Sequence, residues 1–218
     1  MADTRARIVA AALDALRAEG IAGFSARTIA RQGGFNQALI FYHFGSVEGL
    51  LIAVARSESE RRAALYAAEL REVGSLADLV AMARRLHEEE FRSGSVAALT
   101  QVLAGATRSD ELARGVWDAL EPWTARVGET IERLLAATPY AGVLSTDDLT
   151  TTVAALFLGV ELLTGLAPER AGTTLFTTMG ALAALIDTLT GTGPADPATT
   201  TDPATNPADS PDPGPVHA

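Results

Sequence analysis

The chain of 218 residues has no cysteine and no lysine, and only 6% of its residues are aromatic. Without cysteine there is no disulfide framework, no thiolate zinc site and no cysteine nucleophile, and the redox compartment stays open. The 17 basic residues are all arginine, which we read as codon bias of a GC-rich genome without a mechanism of its own. Few aromatics in a chain that is 48% hydrophobic leave alanine and leucine to fill the core. Long apolar runs are also missing. The strongest membrane candidate, Val153 to Leu166, is shorter than the ~20 residues a span needs, and it carries Glu161. The first twenty residues are interrupted by Arg5, Arg7, Asp14, Arg17 and Glu19, so no secretory signal is expected, and the reading is a soluble cytoplasmic protein.

What is present is unevenly distributed. Met1 to Arg62 holds eight arginines against six acids, a net of +2, whereas the remainder holds nine against 21, a net of −12. A mildly basic head precedes an acidic body. Gly191 to Ala218 holds seven of the ten prolines among Thr, Asp and Ala, too little apolar surface to offset ordering entropy, and reads as a disordered tail.

Between these ends the apolar spacing is helical. Ile8, Ala11, Ala12, Ala15 and Leu16 form one stripe, with Thr4 as the expected cap and Gly20 as the expected close. Ser25 starts a second helix to Gln32, which Gly33 and Gly34 end. Asn36 starts a third that runs to Phe44 and stops at Gly45 and Ser46. Six longer segments follow: Val47 to about Leu70, Leu76 to Arg92, Val96 to Ala106, Asp110 to Ala137, Thr146 to Leu166 and Glu169 to Leu189. Pro122 inside the fourth of these predicts a kink or a restart with proline in the first turn. No convincing period-2 alternation appears, so the fold class is all-α. The expected units are a three-helix head over 1–46, a six-helix body over 47–190 and the tail over 191–218.

Two short helices crossing steeply need a small residue at the approach, a turn residue tolerant of positive φ, and an apolar anchor on the second helix. Ala30, Gly34 and Ile40 stand at the helix-turn-helix spacing, with Ile29, Phe35 and Phe44 to fill the core. Arg7 to Val54 as a whole, most specifically Tyr42, His43 and Phe44 followed by Ser46 and Glu48, Gly49 and Leu50, resembles the DNA-binding domain of the tetracycline-repressor (TetR) family. Phe41 departs from that family's usual tyrosine and Val47 from its usual phosphate-touching lysine. The resemblance implies a homodimeric transcription regulator, by analogy a repressor, bound to a palindromic double-stranded operator and released by a small-molecule effector.

The expected DNA contacts divide by chemistry. Asn36, Gln37 and Leu39 stand at the presenting end of the recognition helix: the Gln37 amide matches adenine, and Leu39 can touch a thymine methyl. Arg27 matches a family position that reaches bases, and Thr28, Tyr42, His43 and Ser46 are the expected phosphate contacts. Ordinary amphipathic packing is the lesser alternative for Tyr42 and His43.

In the body, Met82, Leu86, Phe91, Leu103, Trp117, Leu120, Trp123 and Phe157 are the expected effector-cavity walls, core packing being the other reading. Leu149 to Leu189 contains only Glu161, Glu169, Arg170 and Asp187 as charged residues, so its two helices are apolar on nearly every side. Leu158, Leu162, Leu175, Met179, Leu182 and Ile186 are the expected dimer face. His87 to Glu90 lacks the i, i+3 or i+4 ligand spacing of a helical metal site and reads as a solvated acidic face. No phosphate loop, nucleophile elbow or paired Glu-x-x-His set is present, so no metal, cofactor or catalytic residue is assigned. Two other readings stay open: a helical small-molecule-binding protein without DNA binding, and an enzyme of unrecognised site.

Overall fold

The computed structural model describes residues 2–166 and 168–192, and every regular element among them is an α-helix. The all-α expectation is borne out. From residue 193 onward the expected tail lies outside the described residues.

Helix α1 (Ala2–Gly23) begins before Thr4, which sits in its first turn and does not cap it. Gly20 bends the helix at φ 65° without ending it. The bend frees the Ile21 N–H, which donates to the Gln101 side-chain oxygen at 2.9 Å. Helix α2 (Ala26–Gly33) starts at Ser25, whose hydroxyl accepts from the Thr28 N–H, and ends at Gly34, whose φ of 66° a Cβ would oppose. Helix α3 (Ala38–Phe44) follows, with Asn36 Oδ1 accepting from the Ala38 N–H at 2.9 Å. Helix α4 (Val47–Leu65) is capped by Ser46, which accepts from the Gly49 N–H, and it turns 66° away from α3. Gly49 permits that turn: a Cβ there would stand 2.3 Å from the Phe44 carbonyl oxygen.

The six segments expected in the body become eight. The first breaks at Tyr66, giving α4 and then α5 (Ala67–Glu72). Arg133 holds the end of α5 by donating to the Leu70 and Val73 carbonyls at 2.7 and 2.6 Å. After α6 (Leu76–Ser93) and α7 (Ser95–Ala106), the segment containing Pro122 divides into α8 (Asp110–Ala119) and α9 (Glu121–Ala136), a restart with proline in the first turn. Ser59 of α4 braces that restart, donating to the Leu120 carbonyl and accepting from the Trp123 N–H. Helices α10 (Thr146–Leu166) and α11 (Pro168–Thr190) complete the body.

Two apolar clusters hold these helices. One joins Ile8, Leu16, Ile29 and Ile40 of the head to Leu50 and Val54 of α4, Val102 of α7 and Val116 of α8, so packing is continuous across residues 46 and 47. The other gathers Tyr66, Leu70, Leu79, Met82, Leu86 and Ile131 in the body.

The start of α6 is satisfied from two sides. Ser75 accepts from the Asp78 N–H, and buried Asp187 of α11 accepts from the Leu76 and Ala77 N–H groups at 2.9 and 2.8 Å. An acid here answers both the orphan amides and the positive end of the helix dipole. Asp187→Ala should therefore cost ~1–2 kcal/mol in urea denaturation and speed amide exchange over residues 76–79, whereas an unchanged midpoint would show that Ser75 suffices.

Candidate nucleic-acid interface and effector cavity

Helix α3 is fixed from behind and open in front. Ile40 is fully buried and Leu39 half-buried against the head's core, while Asn36 and Gln37 are exposed and Tyr42 is 76% exposed. Asn36 spends its Oδ1 on the cap, so it presents only its amide nitrogen, whereas Gln37 is free of that duty and can offer donor and acceptor together. Arg27 is exposed on α2, and half-buried Thr28 accepts from the Ser25 hydroxyl. Thr28 and Ser46 each accept a hydrogen bond at the cap, which leaves the hydroxyl hydrogen to donate outward. His43 is half-buried, its ring edge-on to Tyr42 at 4.9 Å. Sequence reasoning missed Arg5, which donates to the His43 carbonyl at 2.9 Å and lies 4.5 Å over the Phe44 ring, clamping the end of α3 to α1.

A cavity of about 270 Å³ lies in the body among α6, α9, α10 and α11. Met82, Leu86, Leu120, Trp123 and Phe157 line it as the sequence suggests. Phe91, Leu103 and Trp117 are placed elsewhere. Phe91 is 41% exposed near the end of α6, Leu103 packs on the head's cluster, and Trp117 is 60% exposed on α8. Of the residues expected on a dimer face, Leu158, Met179, Leu182 and Ile186 also line the cavity, whereas Leu162 and Leu175 do not. Leu162, Leu182 and Ile186 are between 46% and 56% exposed, and Leu158, Leu175 and Met179 are half-buried.

Arg62 is the one charged residue on the cavity wall, and its charge is already answered. It donates twice to Glu90 Oε2, at 3.1 and 2.8 Å, while Arg61 donates to Oε1 at 2.6 Å. Burial pushes the Glu90 carboxyl up, but the two guanidinium groups outweigh it and hold the group below its ordinary range. The same burial, with Glu90 and Glu89 nearby, pushes the Tyr66 hydroxyl up to about 12.

The reading of His87 to Glu90 as a solvated face is corrected by these contacts. Glu88 and Glu89 are exposed, but His87 and Glu90, three residues apart, face inward and are 4% and 2% exposed. His87 Nδ1 meets Glu161 Oε1 of α10 at 2.9 Å, between the rings of Phe91 and Phe176. Glu161 Oε2 and the Thr164 hydroxyl, one turn apart, are buried without a hydrogen-bond partner.

An all-helical protein with an N-terminal helix-turn-helix and an apolar cavity in its body is the class that these features define. Residues 8–54 match the family model of bacterial regulatory proteins of the tetR family. No curated protein matches the chain in sequence. Among solved structures, the fatty acid degradation regulator FadR from Bacillus halodurans superposes with a TM-score of 0.66 at 15% identity, covering 82% of this chain and 96% of that one. FadR from Bacillus subtilis, solved in complex with stearoyl-CoA, gives 0.65 at 13% with the same coverage. Salmonella enterica GusR gives 0.66 at 20%, covering 84% and 95%. The resemblance read from the sequence thus holds: residues 8–54 match the tetR-family model, in a chain that shares the fold of solved transcriptional regulators.

Glu161 supplies a pH test of the body. Burial raises its carboxyl above the ordinary range against the pull of His87. A raised folded pKa means that the contribution to stability is complete below the unfolded value of 4.5 and is lost as pH rises through the folded one. Glu161→Gln should match the parent near pH 4, exceed it in thermal midpoint near pH 8, and flatten the slope between. A parallel pair of curves would sink this account of the site.

Proposed function

We propose that this protein is a homodimeric, ligand-responsive transcriptional regulator that binds a palindromic operator and is released from it by an apolar small molecule. The observation that carries the reading is the state of α3. One face is locked by Ile40 and by the Arg5 clamp, while Gln37, Tyr42 and the amide of Asn36 stand free at the surface. A helix held this firmly suits base reading in a major groove by Asn36 and Gln37 with Arg27 of α2, while Thr28, Tyr42, His43 and Ser46 rest on the backbone. A two-fold operator needs two such helices and hence two chains. The role as repressor follows the resemblance, and the unit over 1–46 is the reading head of a body over 47–190.

The effector reading rests on the cavity. Its walls are leucine, isoleucine, valine, alanine, methionine, phenylalanine and tryptophan with Thr124 and Thr150, and the one guanidinium among its described lining residues is neutralised by Glu90. An uncharged apolar molecule fits; a carboxylate would have to compete with Glu90 for Arg62. That FadR from Bacillus subtilis was solved with stearoyl-CoA supports an effector with a large apolar part. Helix α4 joins the two sites, since Leu50 and Val54 lie in the head's core and Arg62 lies on the cavity wall. An effector that prefers one position of α4 shifts operator affinity by its differential affinity for the two states, typically ~1–3 kcal/mol.

Operator selection from random DNA, followed by titration of variants, tests the reading. Gln37→Ala should relax base preference at one position per half-site, because a bidentate base contact carries ~1–3 kcal/mol of discrimination. Tyr42→Phe should weaken all sequences almost equally, since phosphate contacts carry no sequence information. Selection that returns no sequence, or a Gln37→Ala protein with unaltered preference, would remove α3 from the reading role.

A further inference from the structure

We propose that the effector cavity ends in a polar subsite, formed by the Glu161 carboxyl and the Thr164 hydroxyl, that takes the hydroxyl group of an otherwise apolar molecule. This rests on the effector reading above and deepens it by naming the chemistry of the molecule's polar end. Two orphaned atoms carry the inference. Glu161 Oε2 and Thr164 Oγ1 have no hydrogen-bond partner, although their residues are only 2% and 4% exposed. A buried polar group without a partner has given up its hydrogen bonds to water for nothing, and such a pair calls for an occupant. The carboxyl cannot turn to satisfy itself. Its Oε1 is held by His87 Nδ1 at 2.9 Å, and the His87 ring is packed between those of Phe91 and Phe176.

Three helices place this cluster against the cavity. Ala83 stands one turn before His87 on α6, Phe157 one turn before Glu161 on α10, and Met179 one turn after Phe176 on α11; all three line the cavity. Residues one turn apart share a helix face, so the faces that wall the cavity continue directly into the cluster. The cluster is therefore its end, and elsewhere the described walls offer only Thr124, Thr150 and the paired Arg62 as polar side chains.

The two orphans select the polar group. Positions i and i+3 of a helix are neighbours, with Cβ atoms about 5–6 Å apart, so one oxygen placed between the side chains can reach both. A ligand hydroxyl donates to Glu161 Oε2 and accepts from Thr164, answering each in one position. A ligand carboxylate would set acceptor against acceptor at Glu161. An ammonium group donates only and leaves the Thr164 hydrogen without an acceptor. The assigned ligand class is thus a neutral alcohol with an apolar body.

The test uses the full chain and competition against the neutral fluorophore N-phenyl-1-naphthylamine, which brightens in apolar surroundings and reports occupancy of the cavity. The competitors are 1-octanol, its isomer 1-methoxyheptane, which has an acceptor but no hydrogen to donate, and octylammonium. The parent should bind 1-octanol at least tenfold more tightly than the ether and more tightly than octylammonium. Thr164→Val removes an orphaned hydroxyl and should fold at least as stably as the parent. It should weaken 1-octanol at least fivefold while leaving fluorophore affinity within twofold, and Thr164→Ser should restore the parental value. Equal binding of ether and alcohol by the parent, parental 1-octanol affinity in folded Thr164→Val, or tighter binding of octylammonium would overturn the inference while leaving the cavity reading intact. A parent that does not bind the fluorophore, nor any competitor by calorimetry, would overturn the cavity reading and this inference with it. Where Thr164→Val fails to fold, the parent's discrimination between alcohol and ether decides.

Discussion

The carboxylate of Glu90, gripped by Arg61 and Arg62 at 2.6 and 2.8 Å, ties α4 to α6 inside the body. Taken as an isolated pair it is a poor source of net stability, because desolvating two charges offsets most of their attraction. Its halves are not separable, however: removing either partner leaves a buried charge at a cost of ~3–5 kcal/mol. The same pairing neutralises the guanidinium that Arg62 brings to the cavity wall.

Helix α4 is then a short rigid rod, 19 residues or about 28 Å at 1.5 Å per residue, that belongs to both ends of the molecule. The break at Tyr66 limits its reach: motion beyond that point enters α4 through Arg62 and Ser59. Two other contacts run parallel to it. The bend in α1 is held by Gln101 of α7, and Arg17 of α1 donates to Ser95 at the start of the same helix. Glycine lets helices approach closely at both crossings. A Cβ at Gly105 would meet Ile21 and Leu51, and one at Gly115 would meet Ile52, all within 3.0 Å. The head is therefore packed closely against α7 and α8 at these points, and in the proposed dimer a displacement of α4 would press on α1, α7 and α8 and change the spacing between the two recognition helices.

How much of this was legible in the sequence depends on the range of the forces involved. Ser25, Gly34, Asn36 and Ser46 act within four residues of themselves, and each does in the structure what its chemistry requires. Pro122 likewise acts locally, and the restart occurs beside it. Gly20 misled because glycine permits two outcomes, and a distant acceptor on Gln101 selected the bend over the end. Tyr66 gives no local sign of a break, and the carbonyls that follow it at Leu70 and Val73 are held by Arg133, far along the chain. The same distinction explains the site. His87 and Glu90 look like half of an acidic run until Glu161 and the two arginines arrive from other helices. Trp117 and Trp123 are alike in sequence, but the break at Leu120 turns the first outward and the second inward.

The charge distribution bears on how the head would find and read DNA. A net of +2 over the first 62 residues promises little counterion release, and two of the eight arginines there are drawn into the body's ion network at Glu90. Arg31 is paired with Glu19, Arg56 with Glu60, and Arg5 is occupied at the end of α3. Arg17 is paired with Asp14, and among the described residues Arg7 of α1 and Arg27 of α2 are left as exposed cations without an ion pair. On the proposed reading, weak backbone attraction shifts the burden of affinity onto neutral groups: the amides of Gln37 and Asn36, and the hydroxyls of Thr28, Tyr42 and Ser46. Such contacts are short-ranged and demand correct geometry at both half-sites together, so a small change in their spacing forfeits more of the binding than it would for a protein held by long-range charge. The acidic body has the same effect, repelling DNA from every approach except the one that α3 presents.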